Sequence, residues 1–235
     1  MKPLFDLHTH TTASGHAFGT LKENIEEAAK KGLAAMGTSD HSKNMPGTCD
    51  PIYFGNYKVV RDEIFGVRIY TGMEANIIGY DGRIDMSDGT LKKMDYVIAS
   101  LHIPCIKPGT PKENTDALIG AMKNPYVKII GHPDDDRYPL EYERLVAAAK
   151  EQEIALEVNN SSLRPNASRQ NADHNLKIML EYARKLEVRV IMGSDAHIWY
   201  DVGNLEFSRK LLEDLDYPEH LILNYKLEGL KYVLN

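Results

Sequence analysis

Cysteine is scarce: only Cys49 and Cys105 occur in 235 residues, far apart and without a CxxC spacing. That argues against a disulfide framework and against a thiolate zinc site. Lys and Arg never form a run of five or more, and the net charge is −6, so the broad basic surface of a nucleic-acid-binding protein is not expected. No apolar run approaches the ~18 residues of a membrane span, and the N-terminus enters a strand-like segment without a signal-peptide pattern. These absences together predict a reducing, cytoplasmic location with no membrane partner. Gly and Pro are not in excess, and 43% of the residues are apolar, so a folded globular chain is expected.

What the chain does have is alternation. Leu4–His10 reads as a first strand. The Thr20-Leu21-Lys22-Glu23 capping box then opens a helix to about Lys31, with Leu21, Ile25, Ala28 and Ala29 as its apolar stripe. Further strands are predicted at Ala34–Thr38, Val67–Met73, Asp95–His102, Val127–Gly131, Ile154–Asn159 and Val188–Gly193. Helices are predicted at Asn114–Lys123, Leu140–Gln152, Asp173–Lys185 and Leu205–Asp214. Ser42–Tyr57, rich in Pro, Gly and aromatics, reads as a long loop over one end of the fold. Asn76–Met86 reads as a small hairpin turning at Asp81-Gly82. This pattern predicts a parallel α/β sheet in a single domain.

The informative residue is histidine. Of nine, seven lie in fragments at predicted strand ends, beginning with Asp6-Leu7-His8-Thr9-His10 and finishing with Gly193-Ser194-Asp195-Ala196-His197. In a strand, a spacing of two puts His8 with His10, and Asp195 with His197, on one face. His16, Asp40-His41, Glu74, His102 and His132-Pro133 come between. Ligands at nearly every strand end favour a closed barrel, which gathers its site at its C-terminal face, over an open sheet, which concentrates its site at one switch point. Each fragment alone is weak. A lone His before Pro is commonly a turn residue, and Glu74 alone would be a solvated acid. Together, His8, His10, His16, His41, Glu74, His102, His132, Asp195 and His197 are too many buried ionisable groups to satisfy by hydrogen bonds. Imidazole with carboxylate suits zinc, with manganese or iron as alternatives. Nine ligands exceed one tetrahedral ion and imply two or three.

These ordered motifs, together with Glu74-Ala75-Asn76-Ile77 and Glu157-Val158-Asn159-Asn160-Ser161-Ser162, resemble those of the PHP (polymerase and histidinol phosphatase) superfamily, and within it the YcdX-type phosphatases. The resemblance implies a distorted (β/α)7 TIM-like barrel over the whole chain, with three divalent ions at its C-terminal face. By similarity, His8, His10, Glu74 and Asp195 would hold one ion. Glu74 would bridge to a second, held by His102 and His132, and His16, His41 and His197 would hold the third. The expected reaction is hydrolysis of a small phosphorylated metabolite, a phosphate monoester, by a metal-bridging hydroxide. The alternatives are a nuclease or phosphodiesterase acting on nucleic acid, and a noncatalytic metal-binding module.

Several further residues carry expectations. Asp6 is read as orienting a histidine or as an ordinary strand-end acid, and Asp40 as doing the same or capping a turn. Arg164, Arg137 and Lys43 each follow a ligand strand and are candidate phosphate contacts, with Arg164 preferred because a guanidinium binds phosphate in a two-pronged way. A solvated loop charge is an equally good reading of each. His174 and His220 are expected to be structural or solvated. Trp199 and Tyr200 are expected to pack under the barrel rim, with packing beside the substrate as the alternative, and Tyr53, Phe54 and Tyr57 to line a pocket or anchor their loop.

Overall fold

The strands read from the sequence carry continuous apolar runs, and a computed structural model describing residues 1–235 shows why. Successive residues of each strand enter two different cores. Tyr96 and Ile98 point into an inner cluster with Phe5, Leu7, Ile129 and Ile191, whereas Val97 and Ala99 join an outer cluster with Val158, Val190 and Met192. A strand buried on both faces has no polar positions left to alternate with.

The strands are β1 (Phe5–Asp6), β2 (Ala35–Thr38), β3 (Glu63–Ile64), β4 (Val67–Asn76), β5 (Tyr96–Ser100), β6 (Val127–Ile130), β7 (Ala155–Asn159) and β8 (Val190–Gly193). They run β1-β2-β4-β5-β6-β7-β8 in one parallel sheet, with β3 added antiparallel to β4. The long helices Leu21–Lys30, Pro111–Met122, Tyr142–Glu151, Ala172–Leu186 and Glu206–Asp214 connect or flank them. No helix is long and apolar enough to cross a membrane.

The sheet curls into a nearly closed barrel, and its seam lies between β1 and β8. At the C-terminal end of the strands, Thr9 and Ala196 form a parallel bridge, with the His10 N–H on the Ala196 carbonyl at 2.9 Å. Lower down, Asn224 substitutes for the missing strand pairing. Its Oδ1 accepts from Met192 N–H at 2.7 Å, and its Nδ2 donates to the carbonyls of Met192 at 2.9 Å and Phe5 at 3.0 Å. Leu223, Leu230 and Val233 from the same C-terminal segment join the inner cluster. Tyr96 crosses the barrel to donate to the Leu7 carbonyl at 2.5 Å. Its ring fits because Gly37 and Gly72 carry no Cβ, which would fall 2.1 Å and 2.3 Å from Tyr96 atoms.

Several elements differ from the sequence expectation. The predicted first strand, Leu4–His10, pairs regularly only at Phe5–Asp6, so His8 and His10 lie beyond it. The helix expected from Asn114 begins at Pro111, because Thr110 and Glu113 form a second capping box with Pro at the first helical position. The Ser42–Tyr57 segment holds the short helix Ile52–Gly55, with Phe54 and Tyr57 buried. Tyr53 hydrogen bonds Asp40 at 3.0 Å, so these aromatics anchor the segment. Trp199 and Tyr200, expected under the rim, are instead 36% and 53% exposed. His174 and His220 are exposed, as expected of solvated residues.

The seam predicts a measurable cost. Asn224→Ala removes three hydrogen bonds from buried backbone groups at about 1–3 kcal/mol per orphaned group. Urea unfolding should show a loss of roughly 3 kcal/mol or more, and a loss below about 0.5 kcal/mol would rule out the seam function.

Candidate metal centre

Glu74 is fully buried near the end of β4, and imidazoles surround its carboxylate. Its Oε2 lies 3.4 Å from His8 Nε2, 3.4 Å from His10 Nε2 and 2.9 Å from His41 Nδ1. Its Oε1 lies 3.2 Å from His102 Nε2 and 2.9 Å from His132 Nε2. Asp195 Oδ1 completes the first group, 3.5 Å from His8 Nε2 and 3.3 Å from His10 Nε2. At the outer end, the Nε2 atoms of His16 and His197 face each other at 3.0 Å, and the His16 ring stacks on His41 with centroids 5.0 Å apart. The structure thus brings together all nine side chains singled out from the sequence. His41 sits between groups, since its Nδ1 faces Glu74 as well as neighbouring the outer pair.

The loops after the strands set these directions. The pairings at a spacing of two do not come from strand pleat. β8 ends at Gly193, and Asp195 adopts φ 52° in the turn that follows. His132 has φ 30° just past β6. Non-glycine residues held at positive φ are costly and cluster at functional sites.

The outward-facing nitrogens decide what the inward-facing ones are. His16 Nδ1 donates to the Ser14 carbonyl at 3.0 Å, and His197 Nδ1 to the Asp195 carbonyl at 3.0 Å. His102 Nδ1 meets the Asn76 amide oxygen at 2.8 Å, and His8 Nδ1 meets Glu157 Oε1 at 2.7 Å. His10 Nδ1 meets Ser14 Oγ at 3.1 Å, and that hydroxyl spends its own proton on Asp40 at 2.7 Å. Carbonyl, amide and carboxylate oxygens only accept, so each of these rings carries a proton on its outer nitrogen, which leaves the inner nitrogen as the ligating one when the ring is neutral. Burial, with His197 and His41 as neighbours, pushes His10 and His16 below the usual histidine range, and burial also lowers His102; at His8 burial is outweighed by the Glu157, Glu74 and Asp195 carboxylates, which raise it, so that ring would give up its inner proton on binding a cation. Neutral imidazoles are the form a metal needs.

The result is a convergence of buried ligand-type atoms. His8 Nε2, His10 Nε2, His41 Nδ1 and Glu74 Oε2 are buried without a hydrogen-bond partner. His10, His41 and His197 offer ligand atoms within 4.8 Å of one another, and so do two groups built on Glu74: His8 with His10, and His41 with His102. Buried lone pairs facing lone pairs fit divalent cations, with each ring oriented from behind by an acceptor.

The residues around the cluster sort by what they touch. Asp6 does not orient a ring: its carboxylate accepts the N–H groups of His8 and Ser194 at 3.2 Å and Gly203 at 2.9 Å, tying the seam together. Glu157 holds His8 instead, and also accepts from His132 N–H at 2.7 Å. Its sequence signal was the Glu157-Val158-Asn159 motif, read only as part of a resemblance. Asp40 supports the centre through Ser14 and also accepts from Thr11 N–H at 2.7 Å. Of the proposed phosphate contacts, Arg164 is engaged by Asp201 at 2.6 Å and Arg137 by Asp135 at 2.5 Å, so both charges are already matched, while Lys43 is exposed. The cation that touches the centre is Arg169, which the sequence reading missed. It donates to Asp195 Oδ2 at 2.9 Å and to Ser162 Oγ at 3.2 Å. Burial opposes its charge, but the Asp195 and Asp134 carboxylates hold its pKa above the usual range. Arg169 lies in a loop with no motif, ten residues past Asn159, so no spacing pointed to it.

The fold and this centre define a PHP-type barrel, and sequence comparison gives the same class. The model of the PHP domain matches residues 6–161, and the chain belongs to that family. A probable phosphatase of Caldanaerobacter subterraneus is 48% identical over all of this chain and 92% of its own length. A probable phosphatase of Clostridium novyi is 43% identical, over 95% of this chain and 91% of that protein. Among solved structures, the histidinol phosphate phosphatase of Lactococcus lactis, complexed with zinc, L-histidinol and phosphate, shares the fold. Its TM-score is 0.64 at 17% identity, covering 93% of this chain and 95% of that one.

The orientation argument is testable at Glu157. Glu157→Gln places an amide NH2 among the donors His132 N–H and Asn159 Nδ2. Metal analysis after dialysis against a weak chelator should show about 10- to 100-fold weaker retention. Unchanged retention would contradict the tautomer assignment.

Proposed function

We propose that the chain, residues 1–235 acting as one phosphoesterase domain, is a metal-dependent phosphatase that hydrolyses phosphate monoesters of small metabolites. The observation that carries this reading is the His16–His197 contact. The two Nε2 atoms lie 3.0 Å apart on rings whose Nδ1 protons go to backbone carbonyls, an arrangement that a cation relieves. The probable-phosphatase relatives, matched over nearly the whole chain, support the reaction class. The zinc named for the Lactococcus structure supports zinc as the first candidate, with manganese or iron as alternatives.

Three ions are proposed. His8, His10, Glu74 and Asp195 would hold one. Glu74, His102 and His132 would hold the second, and His16, His41 and His197 the third. When bound, such ions lower the pKa of coordinated water and neutralise charge on a phosphoryl group.

The chain's own residues have separable tasks around that chemistry. Glu74 gives one oxygen to each of two groups and so fixes their spacing. Glu157, Asn76 and Ser14 hold rings in their ligating tautomer. Arg169, whose side chain is 16% exposed, balances Asp195 and adds positive charge at the mouth, where a phosphate dianion would enter. The net charge of −6 and the lack of a run of basic residues count against an oligonucleotide substrate. The cytoplasm is the proposed setting, with Cys49 and Cys105 read as reduced thiols from their wide spacing in the sequence.

Purified protein should carry divalent metal and turn over a generic aryl phosphate. Glu74→Ala should lower kcat/KM by at least about 10²-fold together with bound metal. Undiminished turnover in that variant would remove Glu74 from the centre. Release of nucleotides from single-stranded oligonucleotides, with monoesters inert, would favour the nuclease reading, and metal without any turnover the noncatalytic one.

A further inference from the structure

We infer that Asp85 is a positioning residue for His102, acting through the Asn76 side-chain amide, and that this relay sets the metal affinity of the His102–His132 half of the centre. The inference rests on the metal centre proposed above and deepens it.

Asp85 lies in the turn after β4 and is 2% exposed. Its Oδ2 accepts from Asn44 N–H at 2.7 Å and from Asn76 Nδ2 at 2.9 Å. Its Oδ1 accepts from Asn76 N–H at 3.1 Å and from the Ser42 hydroxyl. All four partners are neutral donors, so this is a buried carboxylate whose charge is spread over amides and one hydroxyl rather than matched by a cation. Such a group is expensive to bury and calls for a reason.

The reason lies one residue further in. An Asn amide can sit either way round, and its orientation follows from its partners. Asn76 Nδ2 faces the Asp85 carboxylate and the Ser42 backbone carbonyl, the latter at 3.1 Å, and neither can donate. The NH2 end is therefore fixed there, and the oxygen end faces His102 Nδ1 at 2.8 Å. An amide oxygen only accepts, so His102 carries its proton on Nδ1 and turns the Nε2 lone pair to Glu74, 3.2 Å away. A flipped amide would move the proton to Nε2 and block ligation. The Asp85 charge also polarises the amide, which strengthens the Nδ1–H bond and raises the basicity of Nε2. This is a carboxylate–amide–histidine chain, longer by one group than the direct Glu157–His8 contact on the other side of Glu74.

A carboxylate that merely tied Asn44 to the turn bridged by Ile77 and Ile84 would affect folding stability and leave His102 alone. The test therefore reads His102 and the individual ions. Zinc-loaded wild type and Asp85→Asn, both full-length, are titrated with a chelator while zinc release is followed. One ion should leave Asp85→Asn at about 10- to 100-fold lower chelator than in wild type, with the others unchanged. Equal weakening of all ions, or no change, would overturn the relay. Histidine ¹⁵N spectra of zinc-loaded wild type give a second reading that needs no variant. His102 should show a protonated Nδ1 and a zinc-shifted Nε2, and the reverse assignment would overturn the proposal even if Asp85→Asn did not fold. Wild type that takes up no zinc would overturn the centre itself, whereas loaded wild type with an insensitive Asp85→Asn overturns the relay alone.

Discussion

The constraint on which the rest depends is the burial of a carboxylate, Glu74, among five imidazoles whose nitrogens converge on its two oxygens. His8, His10, His41, His102 and His132 nitrogens lie 2.9–3.4 Å from its oxygens. Without a cation, His8 Nε2, His10 Nε2, His41 Nδ1 and Glu74 Oε2 have no hydrogen-bond partner in a region of low dielectric, which costs several kcal/mol per unmatched group. With cations the same atoms become a strong binding site. The second ring of residues makes sense only in that light: Glu157, Ser14, Asn76 and two backbone carbonyls all accept from the outer nitrogens.

The barrel supplies the rigidity that such convergence needs. Ligating groups come from the ends of β1, β2, β4, β5, β6 and β8, so their spacing is only as fixed as the ring of strands. The ring is weakest at β1 and β8, where no regular ladder joins them. Asp6 and Asn224 make that seam from side-chain hydrogen bonds, and the C-terminal segment fills the inner core below it. A loosened seam would move His8, His10, Asp195 and His197 together, since all four follow the two seam strands.

Much of this was legible in the sequence because barrel strands and metal ligands both leave local marks. Apolar runs bounded by capping boxes marked the strands and helices, and imidazoles at run ends marked the site. What stayed hidden depends on long-range contacts. Arg169 reaches Asp195 from a loop without periodicity, and nothing local separates it from Arg164, whose charge Asp201 takes up. Asp6 lies in the same short motif as His8 yet serves backbone N–H groups across the seam, which only the fold reveals. The spacing of two in His8-Thr9-His10 pointed to the right partners for a wrong reason: the pair converges through irregular backbone past the strand.

The most direct measurement is X-ray diffraction from crystals of the purified protein at the zinc absorption edge and, if needed, at the manganese and iron edges. The account predicts three anomalous peaks within the cluster: one beside Glu74 Oε2 and Asp195, one beside Glu74 Oε1, His102 and His132, and one between His16 and His197. Active protein with no anomalous density at any of the three positions would contradict it.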